Sequence, residues 1–186
     1  MHLANSERRY GAVAIALHWL MAMLIVLLIA LGIYMVRLPD AGFDQSKIYL
    51  IIIHKEIGLL VLALVSLRLA WRQLNPLPAL ERTVPEWQQV TAVFVHLCLY
   101  ALMVAQPILG WLMSSAAGIS VDFFRLFTLP DLVRPQANLF AQLRQIHDWL
   151  GFVMAGLICL HAGAALRHHF VQRDETLRKM IGTSRS

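Results

Sequence analysis

Four stretches of this chain stay apolar for the full thickness of a lipid bilayer, and that fixes the solvent in which it folds. They run from Gly11 to Val36, Ile48 to Trp71, Val90 to Met113 and Ile146 to Leu166. A helix needs roughly 20 apolar residues to cross hydrocarbon. There every backbone N–H and C=O must be satisfied within the segment itself. The expected fold class is therefore an all-α membrane protein, a four-transmembrane-helix bundle forming one integral-membrane domain over residues 1–186. Composition agrees: 59% of residues are hydrophobic and 15% charged, against about 45–50% and about 25% in soluble domains. Arg8 and Arg9 precede the first stretch as they would a signal peptide. That stretch is too long for a signal core and lacks an A-x-A-like cleavage site, so it reads as a retained span.

The net charge of +5 points to membrane orientation rather than to nucleic acid, because the basic residues flank the apolar runs and form no stripe. With the N-terminus inside, ten lysines and arginines fall on the inner side, among them Arg8, Arg82 and Arg185. Six fall outside: Arg37, Lys47, Lys55, Arg125, Arg134 and Arg144. The expectation is a multi-pass protein with both termini cytoplasmic. The connection after the third run carries an apolar-rich segment, residues 121–127, expected to lie at the outer membrane surface. Two cysteines, Cys98 and Cys159, exclude a disulfide-stapled fold, and the absence of CxxCH excludes covalent c-type haem.

Five of the eight histidines, His18, His54, His96, His147 and His161, lie inside the apolar runs. His18 and His161 stand seven and five residues from inner ends, His54 and His147 six and one from outer ends. Compared by depth they mark two sites, one near each membrane face. His147 and His161 are 14 residues apart, which puts them within about 40° on one helix face and about 21 Å apart along the axis. The same interval separates His54 from Arg68, His18 from Gly32 and His96 from Gly110. Each helix thus shows one face to both sites, the glycines admitting a flat ring and Arg68 offering a partner for carboxylates. Zinc would need four protein ligands, with cysteine or acidic partners that these sites lack. Haem iron needs only two axial ligands, and opposed imidazoles supply them. His96 also lies at inner depth, so spacing alone leaves the inner pair open.

These residues resemble the bacterial cytochrome b561 family, which groups with the cytochrome b subunits of membrane hydrogenases and formate dehydrogenases. The resemblance covers nearly the whole chain: Ala16-Leu17-His18-Trp19-Leu20, Ile53-His54-Lys55 with Gly58, Arg68-Leu69-Ala70-Trp71-Arg72, and His96 and Pro107 with Gly110-Trp111-Leu112. It ends with Ile146-His147-Asp148, His161-Ala162-Gly163-Ala164-Ala165-Leu166, Arg167-His168-His169-Phe170, and a closing Asp174, Leu177 and Met180. It implies a bundle enclosing two non-covalent haems b with bis-histidine ligation. His18 with His161 would hold the inner iron, and His54 with His147 the outer one. Arg68 is expected to bind cofactor, and His96 becomes a hydrogen-bonding or propionate-side residue. His168 and His169 are expected at the surface. The chain departs from the family pattern at Arg125, where glycine is common after an aromatic residue, and at Glu56, where a small or hydroxyl residue is common.

The function implied is electron transfer in the bacterial inner membrane to or from ubiquinone or another quinone, with superoxide as a donor oxidised to O2. Arg68, Trp71 and Arg72 near the inner site, and Lys55, Arg144 and Trp149 near the outer one, are the quinone-site candidates. Two other functions stay open at this stage. One is a cytochrome b anchor subunit fed by a protein partner. The other, from a different class, is a transporter whose histidines relay protons, which would be colourless.

Overall fold

The computed structural model describes residues 2–7, 9–38, 45–78 and 85–183. Arg8, Arg82 and Arg185, counted above for orientation, lie outside the described residues. Four long helices dominate: α1 (Ala12–Arg37), α2 (Gln45–Leu74), α3 (Glu86–Ala116) and α4 (Ala137–Arg167). The helices α2, α3 and α4 each contain one predicted run and extend past it, α4 by nine residues at its start, whereas α1 follows the first run one residue later at both ends. All four are long and apolar enough to span a membrane. They are apolar around their whole circumference: Met23, Phe94, Leu97 and Phe152 are each more than 60% exposed. Such a surface is stable only in lipid or under a partner.

Close packing divides the chain into two compact units. One comprises Met1–Ala22, Leu64–Ala101 and Gly156–Ser186; the other comprises Met23–Ala63 and Leu102–Ala155. Leu17, Met21, Val65, Val95 and Leu99 are buried in the first unit. Ile25, Leu59, Val61, Leu102, Leu143 and Met154 are buried in the second. Each helix contributes residues to both units, so the repeated interval of 14 residues is the length scale on which one helix serves two cores.

The first unit is closed by the chain ends. Asn5 accepts a hydrogen bond from the Gly11 amide at 2.9 Å and donates to the Pro76 carbonyl at 3.1 Å. Beyond α4 the chain makes a π-helical turn, His168–Gln172, stopped by Arg173 in the left-handed region (φ 57°). A short helix α5, Thr176–Ile181, follows. The Trp19 indole N–H donates to the Met180 carbonyl at 2.8 Å, fastening α5 to α1.

In the second unit the connection from α3 to α4 forms a small antiparallel hairpin, β1 (Val121–Phe123) with β2 (Phe127–Leu129), in the segment expected at the outer surface. It is tied to α3, with Trp111 donating to the Pro130 carbonyl and the buried Ser115 hydroxyl accepting from the Leu132 amide, each at 3.1 Å. The hairpin had no sequence signal, because its turn carries no glycine or asparagine. Phe124 (φ 47°) and Arg125 (φ 59°) both adopt the left-handed conformation, and the Leu126 amide closes the turn on the Phe123 carbonyl at 2.9 Å. Arg125 thus stands where the backbone favours glycine. A left-handed non-glycine residue costs about 1–2 kcal/mol, and glycine returns about 0.5–1 kcal/mol in lost chain entropy. Arg125→Gly should therefore stabilise the hairpin by up to about 1 kcal/mol, read as roughly fivefold slower exchange of the Leu126 amide.

Candidate functional site

In the second unit α2 delivers His54 and α4 delivers His147, with ring centres 6.3 Å apart and planes inclined by 71°. The other two helices approach the pair through glycine. A Cβ at Gly32 of α1 would lie 3.6 Å from His54 Cε1, and one at Gly110 of α3 would lie 3.5 Å from His147 Cε1. These are the glycines 14 residues beyond His18 and His96, as the one-face reading requires. Gln106 of α3 fixes the backbone beside the site, its side-chain amide donating to the His147 carbonyl at 3.0 Å. Nδ1 of both histidines is buried with no hydrogen-bond partner.

In the first unit His18 of α1 faces His161 of α4 at 6.2 Å between ring centres, with planes inclined by 70°. His96 of α3 packs edge-to-face on His161 at 5.1 Å. From α2, Arg68 enters the same unit, and its Nε donates to the Tyr100 hydroxyl at 3.0 Å. Trp71, one turn along α2, buries its indole nitrogen without an acceptor.

Two buried imidazoles facing one another in an apolar bundle are costly unless something takes up their polar atoms. Among the described residues no group of three or more His, Cys, Asp or Glu side chains is set to hold a metal ion, so a protein-only coordination shell has no place to form. A centre that brings its own equatorial nitrogens asks only for pairs. Two rings ligating one ion from opposite sides have centres about 6.2 Å apart, from a metal–nitrogen bond of about 2.0 Å and about 1.1 Å from each nitrogen to its ring centre. The His54–His147 and His18–His161 separations fit that value; the His96–His161 separation is too short for it. The residues present fit a haem at each pair.

A family model described as "Prokaryotic cytochrome b561" matches residues 9–183. The chain belongs to the prokaryotic cytochrome b561 family. The cytochrome b561 fold is a helical membrane bundle that binds haem b and transfers electrons, and this chain is a multi-pass member with four membrane-spanning helices. It is 32% identical to "Cytochrome b561 homolog 2" of Escherichia coli, over 100% of this chain and 98% of the relative. It is 30% identical to "Cytochrome b561 homolog 1" of the same organism, over 93% and 97%. A third relative, "Probable superoxide oxidase CybB" of Yersinia pestis, is 27% identical over 96% and 99%.

The quinone-site candidates fall in both units. Arg68, Trp71 and Arg72 stay together along α2, whereas Lys55 donates to the Ser120 carbonyl at 3.3 Å at the base of the hairpin. Arg144 and Trp149 line a shallow groove of ≈ 320 Å³ along α4, with Phe140, Gln145, Asp148 and Phe152.

His168 was expected at the surface, but the cytochrome half-buries it. Its Nδ1 meets Asp174 Oδ2 at 2.5 Å, across the π-helical turn. The other Asp174 oxygen accepts from the Thr176 amide at 2.9 Å, starting α5. His169 likewise buries its Nδ1. The signal was present in the closing Asp174 and Met180 of the family pattern, but only the turn brings His168 back onto Asp174. Burial pushes the Asp174 carboxyl up, yet the Thr176 and His168 hydrogen bonds outweigh it and hold the group below the usual carboxylate range. A carboxyl lowered on folding stabilises above its unfolded pKa, and that contribution disappears as pH falls through the folded value. The start of α5 should stay protected from amide exchange down through the ordinary carboxylate range and open only below it. Asp174→Asn should abolish that step.

Proposed function

We propose that this chain is a di-haem b protein of the bacterial inner membrane, with both termini cytoplasmic, that carries electrons from superoxide at the outer face to ubiquinone. The observation that carries this reading is the pair of imidazole separations, 6.2 Å for His18–His161 and 6.3 Å for His54–His147. Full-length similarity to a relative named as a probable superoxide oxidase supports the choice of donor. The balanced reaction is two superoxide anions plus ubiquinone and two protons giving two O2 and ubiquinol. Bound haem would supply one-electron exchange. The chain would supply two imidazoles per site, an apolar surround, and Gly32 and Gly110 beside the His54–His147 pair. Two imidazoles given to one haem would leave its iron no place for oxygen, which favours electron transfer over oxygen binding.

As many acids as cations fall on the outer side, so steering of the anion requires the cations to line its entry. Lys47 and Lys55 spend their ammonium groups on the Leu38 and Ser120 carbonyls, whereas Arg125, Arg134 and Arg144 are exposed. Exposed cations near an entry raise the on-rate of a small anion about tenfold or more, and salt screens them with a Debye length of about 10 Å at 0.1 M.

The ligand assignment predicts haem stoichiometry. His54→Ala or His147→Ala should leave about one haem per chain, with the His18–His161 site intact, and His18→Ala or His161→Ala should do the reverse. Quantitative haem extraction on folded, membrane-inserted protein checks this; loss of a haem from His96→Ala with retention of two in His18→Ala would refute it. The donor assignment predicts that superoxide reduces the outer haem first, at a rate that falls as salt rises and drops severalfold in Arg144→Gln. Stopped-flow absorbance measures it. Slow reduction indifferent to salt and to Arg144 would leave the anchor-subunit function, in which a protein partner is the donor, as the better reading.

A further inference from the structure

The first unit holds an excess of hydrogen-bond donors that its own residues do not satisfy. No carboxylate among the described residues pairs with Arg68 or Arg72, and Trp71 between them buries an unpartnered N–H. Positions 68, 71 and 72 lie within about 110° of one another around α2. Both guanidiniums sit over the Tyr100 ring, with their central carbons 5.9 Å (Arg68) and 5.7 Å (Arg72) from its centre. The Tyr100 hydroxyl accepts from Arg68 Nε alone. That bond takes the Nε–H, and with it the side-on fork, and leaves both terminal nitrogens to hold a carboxylate end-on through two parallel hydrogen bonds.

We propose that Tyr100 is a positioning residue: its hydroxyl and ring hold Arg68 so that the terminal nitrogens clamp a carboxylate of the group bound between His18 and His161. The inference rests on the haem reading of that pair, since haem b carries two propionate carboxylates. A free arginine in an apolar span would turn its charge toward the membrane surface. The phenol bond and the ring beside it hold it instead at Tyr100, in the unit that contains His18 and His161. Trp71 offers a further donor to the same acceptor. Holding a guanidinium against the propionate offsets a negative charge that would otherwise favour ferric iron, so Tyr100 raises the potential of this haem without touching it.

The test is a redox titration of the two-haem protein with a companion reconstitution using haem dimethyl ester, whose carboxylates are blocked. Tyr100→Phe keeps the ring and removes only the hydroxyl. With haem b it should retain full haem content, lower one of the two midpoint potentials, leave the other unchanged, and weaken haem binding at that site about fivefold, as for one lost hydrogen bond. With the dimethyl ester, wild type and Tyr100→Phe should be indistinguishable. Arg68→Gln should lower the same potential, and adding Tyr100→Phe to it should change nothing more. An unmoved potential, or an equal shift with ester and acid, would overturn the proposal by showing that Tyr100 only packs. A wild-type chain that takes up no haem would instead overturn the haem reading itself and the proposal with it.

Discussion

In hydrocarbon a polar atom without a partner cannot fall back on water, and the rest of this structure follows from that constraint. It makes the backbone helical through four spans, leaves the helices apolar on every side, and turns each buried imidazole into a liability that the fold must answer. The imidazoles stand in facing pairs that do not hydrogen-bond one another, and Nδ1 of His54 and of His147 stays without a partner. His54 meets His147 and His18 meets His161 at nearly equal separations, with glycine at the ring faces in one unit and an arginine in the other. Hydrogen bonds that would be incidental in a soluble protein, such as Gln106 to the His147 carbonyl, have no competing solvent here and so fix geometry.

The long helices, their number and their approximate extents were legible because length and apolarity alone decide them. The paired histidines were legible as two depths because a helix converts sequence interval into height and angle by a fixed rule. Glycines 32 and 110 followed from the same rule. Spacing could not choose between His18 and His96, since both stand at one depth. That choice turns on about 1 Å of ring separation, 6.2 Å against 5.1 Å, which depends on helix rotation and rotamer.

The features that escaped are those made by irregular backbone. Left-handed Phe124 and Arg125 build a hairpin turn from residues that seldom adopt it, so no local propensity announced the strands. The His168–Asp174 contact depends on a π-helical turn and on left-handed Arg173. Nothing in a run of Arg-His-His-Phe distinguishes a surface histidine from one folded back on a carboxylate. Tyr100 escaped differently. Its tyrosine reads as one more apolar residue of α3, and its role is visible only once two arginines from α2 are seen over its ring.

The bond from Trp19 to Met180 joins residues 161 positions apart, and the His18–His161 pair likewise needs the last long helix. A ribosome feeding this chain into a membrane makes one half of that site first and the other half nearly last. The early helix must wait in the bilayer with an unmatched histidine while the intervening spans are inserted. The facing of the two imidazoles therefore waits on insertion of α4, and a chain truncated before α4 would leave His18 without His161.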